Sequence, residues 1–296
     1  MEGPPPGRPA MRSTKEDANE GRKRPALDIR IMLHEKALRL RRNSHTFHQI
    51  IEEIEQQDGV RLTKSTISNW IRGRSSPLRA GHNFIPKPTP DLAYVIGVEA
   101  GDAFLNVKPK TYQYRIRLRA VDREFVEAFN QAMSRVLGCP PHRLWKGRTE
   151  REVHVEFGSY LLHKFLLQDF GKFKAFIEFD KGCVAAFIKG FFDSEGCIDT
   201  NRKLSASNSN FALLTYVQYL LQRYFSIDTT GPHLGTKKGS IITRRGKSYQ
   251  RNADVYEIRV RAKSLGPFYE EIGLTIQRKK LRLEKALEKP SRIRNR

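Results

Sequence analysis

Long apolar runs, cysteines and acidic residues are all scarce in this sequence. No apolar stretch approaches the ~20 residues that a membrane-spanning helix needs, and no segment near the N-terminus has the form of a signal peptide. Cys139, Cys183 and Cys197 are scattered and lack the spacing of metal ligands, so we expect reduced thiols. These absences argue against a membrane or disulfide-stabilised protein and predict a cytoplasmic one.

Basic residues are in large excess. Lys and Arg number 54 against 32 Asp and Glu, which gives 296 residues a formal charge of +22. Such a surface attracts phosphate backbones over a long range. We therefore expect a cytoplasmic protein that binds a polyanion, either a nucleic acid of the nucleoid or an anionic membrane. The length allows two domains, or one domain with an appended module.

Composition divides the chain into six segments. Proline, glycine and mixed charge dominate the beginning, which cannot bury enough apolar surface to order itself. Prolines also stiffen a linker ahead of the longest segments. The predicted segments are a disordered basic tail at 1–27, a helix-turn-helix module at 28–79, a linker at 80–90, a first half at 91–181, a second half at 182–290 and a basic tail at 291–296.

The helix-turn-helix prediction rests on residues 45–77. A helix near 29–42 precedes them, Asp58-Gly59 is a strong turn signal, and Thr63 or Ser65 can cap the second helix. Residues 65–72 (STISNWIR) resemble the recognition helices of prokaryotic helix-turn-helix modules; the alternative is a small helical hairpin with a polar face. The side chains predicted to reach phosphates and base edges are Lys64, Ser65, Ser68, Asn69 and Arg72.

Two basic strands form a second candidate DNA surface. Residues 112–119 alternate strictly, so one face is apolar and the other polar, and the strand itself contains no acid. Residues 256–262 repeat this alternation, but at a different distance along the chain from the acid of their motif. A basic loop is predicted at 231–251. The alternative is a strand that only keeps its outer face soluble. The predicted DNA contacts are Gln113, Arg115, Arg117, Arg119, Arg244, Arg245, Arg259 and Arg261.

Two apolar helices, near 91–102 and 183–195, end in carboxylates and match each other. Aligned, they place Gly97 on Gly190, Gly101 on Ser194 and Asp102 on Glu195. Small residues four apart share one helix face, so the backbones can approach closely and bring the two acids together. A carboxylate pair of this kind can hold Mg²⁺, whose other ligands are water and phosphate oxygens. The alternative is two core helices that happen to end in acids.

These two stretches resemble the paired motifs of single-chain LAGLIDADG (dodecapeptide, DOD-type) homing endonucleases. GxxDSEG at 190–196 is close to the family pattern, whereas the first motif has Ala103 for the closing glycine and Glu99 within its apolar run. The resemblance implies an α+β fold, a tandem αββαββα unit with pseudo-two-fold symmetry in a monomer. It also implies Mg²⁺ or Mn²⁺ on Asp102 and Glu195, and a lysine beside each metal. The candidate lysines are Lys279 or Lys280 in the second half and Lys172 or Lys174 in the first.

The function implied by the resemblance is site-specific, metal-dependent hydrolysis of double-stranded DNA, as in intron homing. An impaired first half would leave a nicking enzyme. The alternative is a non-cleaving transcription regulator that retains the endonuclease fold for DNA recognition. An intein is excluded, because no splicing nucleophile or terminal His-Asn is present. RNA maturase activity stays open.

Overall fold

A computed structural model of the chain describes residues 25–78, 84–108, 113–147, 149, 151–244 and 246–288. The chain divides between residues 79 and 80 into two compact units. The predicted tail at 291–296 and nearly all of that at 1–27 lie outside the described residues, as do the start of the linker, Tyr112 and Arg245. Within the described part of the chain, no helix has the length and apolarity to cross a bilayer.

Three helices form the first unit: α1 (Leu27–Arg42), α2 (Phe47–Asp58) and α3 (Lys64–Ile71). Of the two predicted caps for α3, Thr63 accepts from the amide of Thr66, and Gly59 ends α2 in the left-handed conformation with φ 65°. Buried aliphatic residues and Trp70 form a separate small core. The helices and the turn lie close to the predicted positions, while the assignment of this unit as a helix-turn-helix and its DNA binding stay predictions.

The second unit contains two mixed halves that follow each other along the chain. The first half comprises α4 (Pro90–Glu99), β1 (Phe104–Lys108), β2 (Gln113–Ala120), α5 (Arg123–Leu137), β3 (Trp145–Lys146), β4 (Val153–Gly158), α6 (Tyr160–Leu166), a 3₁₀ turn (Phe170–Phe173) and α7 (Lys174–Ile177). The second comprises α8 (Lys181–Glu195), β5 (Gly196–Ile198), β6 (Leu204–Asn208), α9 (Phe211–Phe225), β7 (Thr229–Thr236), β8 (Ile241–Arg244), β9 (Lys247–Gln250), β10 (Val255–Val260), a 3₁₀ turn (Ala262–Ser264), α10 (Leu265–Glu271) and α11 (Gln277–Glu288).

Each half has one four-stranded antiparallel sheet, and the two sheets share one topology. Their strand orders are β1-β2-β4-β3 and β5-β6-β10-β7. This repeat confirms the predicted α+β class and tandem organisation. By strand order, β10 corresponds to β4 rather than to β2, so the two basic strands do hold different ranks, as the unequal spacing from the motif acids had indicated.

Both sheets are covered by helices on one face only. In β2, Ile116 and Leu118 are fully buried, whereas Arg115 and Arg117 are half-buried and Arg119 is exposed. In β10, Ile258 is buried and Arg259 is exposed. A period of two therefore separates a core face from an open face, which leaves the basic side chains outside.

Several predicted helix ends were wrong. Thr89, not Asp91, caps α4, because its hydroxyl accepts from the amide of Leu92, while Asp91 pairs with Arg135. That helix ends at Glu99 rather than at Asp102. Asp122 stands at the N-cap position of α5 without a capping hydrogen bond; its carboxylate accepts two hydrogen bonds from Arg278 instead.

The predicted basic loop at 231–251 was also wrong. Most of it is strand: β7 covers its beginning, and β8 pairs antiparallel with β9 in a hairpin. The hairpin's alternation is weak, because glycine and charged residues interrupt it, so the pattern resembled a loop. The predicted helix at 158–170 is shorter and is followed by a 3₁₀ turn.

Candidate functional site

Helix α4 and the turn that follows it pack against α8 through four small residues, and the two helix backbones touch at Gly97 and Gly190. A Cβ on Gly97 would lie 2.2 Å from the carbonyl oxygen of Phe187, and one on Gly190 would lie 2.5 Å from that of Tyr94. A Cβ on Gly101 would lie 2.5 Å from the Cβ of Ser194. The structure thus brings all four predicted seam residues together, and nothing larger than glycine fits at the two central positions without a shift of the helices.

The seam delivers two carboxylates to one end. Glu195 is the last residue of α8, and its Cγ is 3.1 Å from the position of a Cβ on Gly101, the neighbour of Asp102. Asn208 donates to the Glu195 Oε1 at 3.0 Å and to the carbonyl of Ala100 at 3.5 Å. Asn208 thereby ties the end of one motif helix to the acid of the other, a contact that no signal in the sequence pointed to.

The two acids carry raised pKa values. Burial, followed by the negative charge of Asp102, raises the pKa of Glu195 to about 7, although Asn208 and Lys279 oppose the shift. Burial also raises the pKa of Asp102, against the positive charge of Lys279. Charges that repel in a poorly solvated place favour protonation, and a bound cation would reverse that preference.

This donor set fits a divalent cation of the Mg²⁺ type. Mg²⁺ takes one or two protein carboxylates and keeps water or phosphate oxygens in its remaining positions. Within the described residues there is no cluster of three or more His, Cys, Asp or Glu side chains that could enclose a metal. An open pair of carboxylates beside a groove is therefore the arrangement to test.

Of the candidate lysines, only Lys279 is found with the acids. It is 5% exposed, and its Nζ donates to the carbonyl oxygens of Phe192 at 3.0 Å and Asp193 at 2.6 Å. Burial lowers its pKa, against the negative charge of Asp193. Lys280 is half-exposed and its side chain makes no hydrogen bond or ion pair with a described residue. In the first half, Lys172 is exposed, and Lys174 lies over the ring of Tyr216.

A buried network surrounds Asp193 in the second motif. Its carboxylate accepts from the Tyr94 hydroxyl at 3.0 Å and from the amide of Thr275 at 2.8 Å. The network therefore links α4, α8 and the segment just before α11, the helix that carries Lys279. Asp193 stands in the GxxDSEG stretch, so the motif itself marks this acid, although it does not identify the partners of the acid. The alignment of the motifs places Ala100 opposite Asp193, and alanine cannot make these bonds.

On the open face of the first sheet, the basic residues are not all free. Glu156 of β4 lies opposite Arg117 and accepts from its Nε at 2.8 Å and from its Nη2; it also pairs with Arg115 at 2.5 Å. Arg115 in turn donates to Gln113. Arg119 is exposed and makes no hydrogen bond or ion pair with a described residue. The strand itself contains no acid, and the carboxylate that offsets its arginines comes from the neighbouring strand.

The second sheet carries an equivalent arrangement. Arg259 donates to Glu257 through Nε at 3.0 Å and through Nη2 at 2.7 Å. Arg261 is exposed. The pKa of Asp228 is lowered chiefly by its hydrogen bond with Lys263 and to a smaller extent by the charge of Arg261. Arg244 belongs to the hairpin strand β8, while Arg245 lies outside the described residues.

A groove of about 1410 Å³ runs from Glu195 to the β8–β9 hairpin. Its floor is formed by hydroxyl and amide side chains of β6 and the residue that follows. Its wall comes from the hairpin and the turn into β10. Side chains able to form hydrogen bonds line the groove, among them Glu195, Ser207, Asn208, Tyr249, Gln250 and Arg251. One acid of the pair is thus accessible from a polar groove.

The predicted contact residues of the first unit lie along α3. Lys64, Ser65 and Arg72 are exposed, whereas Ser68 and Asn69 are half-buried. The Ser65 hydroxyl is 2.9 Å from that of Thr63, so it helps to form the start of the helix. Ile67 and Trp70 are buried on the opposite face.

Comparison with known families and proteins finds one family model and related proteins. The family model described as "LAGLIDADG-like domain" matches residues 182–273. An uncharacterized protein of Methanocaldococcus jannaschii, MJ0398, is 32% identical over 254 residues, which cover 84% of this chain and 90% of that protein. A second uncharacterized protein of that organism, MJ0314, is 27% identical over 139 residues, covering 43% of this chain and 51% of its own length.

Solved structures with similarity include the homing endonuclease I-DmoI in complex with DNA and Mn. It has a TM-score of 0.47 and 18% identity, with coverage of 63% of this chain and 98% of that one. Full-length DUF199/WhiA from Thermatoga maritima has a TM-score of 0.43 and 16% identity, covering 69% and 62% of the two chains.

Proposed function

Because the chain belongs to the LAGLIDADG family, we propose that it is a metal-dependent endonuclease that hydrolyses phosphodiester bonds in a specific double-stranded DNA site. The observation that carries the proposal is the convergence of Asp102 and Glu195 at the end of a glycine seam. Two poorly solvated acids on a chain of charge +22 are unfavourable beside DNA unless a cation lies between them and the phosphate.

In this proposal, Asp102 and Glu195 hold Mg²⁺ or Mn²⁺. The bound metal would act as a Lewis acid toward the scissile phosphate and lower the pKa of a metal-bound water. Asn208 fixes the orientation of the Glu195 carboxylate through its hydrogen bond of 3.0 Å. Since one chain supplies both acids, a monomer suffices.

Lys279 has a positioning role in this site. It uses two of its three N–H donors on backbone carbonyls, so it is held in place beside the acids rather than extended into the groove. Its charge favours the ionised forms of Asp102 and Glu195. Ionised carboxylates are the form that binds a divalent cation.

A second candidate, a non-cleaving DNA-binding regulator, has one observation in its favour. The polar network of Asp193 has no counterpart at Ala100, and the only candidate lysine found with the acids comes from the second half. A protein whose first motif lacks this network and a lysine could still recognise its DNA site but not cleave it, or could nick one strand. The helix-turn-helix would then contribute a second DNA contact.

The two candidates are separated by incubating the protein with a randomised-site plasmid library in Mg²⁺ and sequencing the ends. The variant carrying both Asp102→Asn and Glu195→Gln serves as the control. Reproducible ends that disappear in this variant identify the endonuclease. Intact plasmid, with both proteins retaining the same sequence on a binding column, identifies the regulator.

A further inference from the structure

The open face of each sheet carries a carboxylate on the topologically equivalent strand. Glu156 lies on β4 and Glu257 on β10, and these two strands hold the same position in their strand orders. Both side chains are partly exposed, at 22% and 23%. Each points to the same face as the arginines, since the alternate residues Phe157 and Ile258 are buried.

Each acid holds a guanidinium in the same manner. Arg117 gives its Nε–H and one Nη2–H to a single oxygen of Glu156, and Arg259 does the same with Glu257. Glu156 uses its other oxygen for Arg115. The charge of the acid and two hydrogen bonds together fix the plane of the guanidinium, which an exposed arginine would otherwise sample freely.

The donors left over have a defined use. An arginine has five N–H groups, so three remain after two are spent on the acid, and two of these lie on the edge formed by Nη1 and Nη2. That edge matches the O6 and N7 acceptors of guanine in the major groove. A guanidinium held in one orientation can make this pair of bonds in only one register.

Affinity alone does not explain these acids. A carboxylate on a surface that faces phosphates lowers the attraction of that surface for DNA. Cross-strand stability is also an incomplete explanation. Glu156 does join β4 to β2, but Glu257 and Arg259 lie two residues apart on one strand, so their ion pair connects no elements. The contact of Glu257 with β6 is a hydrogen bond from Ser205, which does not involve the arginine.

We propose that Glu156 and Glu257 are specificity-positioning residues, which hold Arg117 with Arg115 and Arg259, respectively, so that each reads guanine in one half of the DNA site. The inference rests on the proposed DNA-binding function. Arg119, which has no acid partner among the described residues, is by contrast a phosphate contact.

The test is binding selection from a randomised duplex library without divalent metal, followed by affinity measurements for the selected and a scrambled duplex at several salt concentrations. The variants are Glu156→Gln and Glu257→Gln. Glu127→Gln is the matched control: it also removes one negative charge and an arginine contact, Arg123 Nε to Oε1 at 2.7 Å, but Glu127 lies on α5. Thermal unfolding confirms that each variant is folded.

Glu156→Gln should lower the preference for guanine at the bases of one half-site by about tenfold. Its affinity for scrambled DNA should rise, with a salt dependence steeper by up to about one unit. Glu257→Gln should do the same at the other half-site, and Glu127→Gln should change neither.

Unchanged base preference in both folded glutamine variants would overturn the positioning role while leaving DNA binding intact. A wild-type protein that binds the selected and scrambled duplexes equally would instead overturn the proposed function and this inference together. If Glu156→Gln does not fold, the result for Glu257→Gln decides, because the ion pair of Glu257 lies within one strand.

Discussion

Glu99 and Glu195 have similar pKa values for different reasons. Burial alone raises the pKa of Glu99 to about 7, whereas burial and the charge of Asp102 raise that of Glu195 to about 7. No described residue makes a hydrogen bond or ion pair with the Glu99 side chain. The two glutamates therefore form a natural comparison between an acid that is only buried and an acid that faces another acid.

The raised pKa of Glu195 gives a testable pH dependence. The folded state holds a proton that the unfolded state releases between the ordinary value of 4.5 and about 7. This contribution to stability is complete below the unfolded pKa and is lost as the pH rises through the folded pKa. Relative to Glu195→Gln, the wild type should lose about 2 kcal/mol of unfolding free energy over this range, measured by urea titration at several pH values.

Glu99→Gln is the control for the role of the metal. At about pH 8 it should raise the unfolding free energy as much as Glu195→Gln does, because it removes an acid whose pKa is raised equally. Mg²⁺ should raise the melting temperature of the wild type and of Glu99→Gln, but not that of Glu195→Gln. An equal Mg²⁺ response in all three proteins would show that Glu195 does not hold the ion.

Lys279 and its neighbour Lys280 should respond very differently to replacement by methionine. Lys279→Met removes both hydrogen bonds to the end of α8 and leaves the charge of buried Asp193 without a nearby cation. We expect a loss of about 3 kcal/mol in unfolding free energy, together with lost cleavage. Lys280→Met should stay within about 0.5 kcal/mol of the wild type. Equal losses of unfolding free energy for the two variants would contradict the role assigned to Lys279.

The seam between α4 and α8 is the element on which the site depends. Both acids lie beyond the point where the helix backbones touch, so a change in helix separation moves Asp102 relative to Glu195. The seam was predictable from small residues at matched positions. The network of Asp193 was not, because its partners Tyr94 and Thr275 lie 99 and 82 residues away.

Gly97→Ala tests the seam directly. The new Cβ would meet the Phe187 carbonyl at 2.2 Å, and this atom belongs to the backbone, so the helices must separate. We expect a loss of about 3 kcal/mol in unfolding free energy and a weaker Mg²⁺ response. Gly266→Ala is the control, since a Cβ there meets nothing within 4 Å and the residue lies in α10. It should leave stability unchanged or raise it by up to about 1 kcal/mol.

Over the whole molecule, the open sheet faces carry less free charge than the sequence suggested. A strand read by itself shows its own arginines but not the acid that the neighbouring strand places beside them. The register of β2 with β4, which pairs Arg117 with Glu156, depends on contacts 39 residues apart. The strands and the alternation of their faces could be predicted from local pattern, whereas partners such as Asn208 and Glu156 required the tertiary fold.

The salt dependence of DNA binding should therefore differ between two neighbouring arginines. Arg119→Ala removes a charge that no acid among the described residues offsets, so the salt slope should fall by about 0.9. Arg117→Ala removes a charge that Glu156 already offsets, so it should change the slope less and lower base preference more. Titrations of a selected and a scrambled duplex over a range of salt measure both quantities. Equal salt slopes for the two variants would contradict the distinction between Arg119 as a phosphate contact and Arg117 as a base contact.

The central claim is that Asp102 and Glu195 form a metal-dependent hydrolytic site. Its most direct test is single-turnover cleavage of the selected duplex in Mg²⁺, with each strand labelled separately, by the wild type, Asp102→Asn and Glu195→Gln. We expect each variant to lose cleavage of at least one strand while its DNA affinity is retained or increased. Cleavage of both strands at the wild-type rate by both variants would contradict the claim.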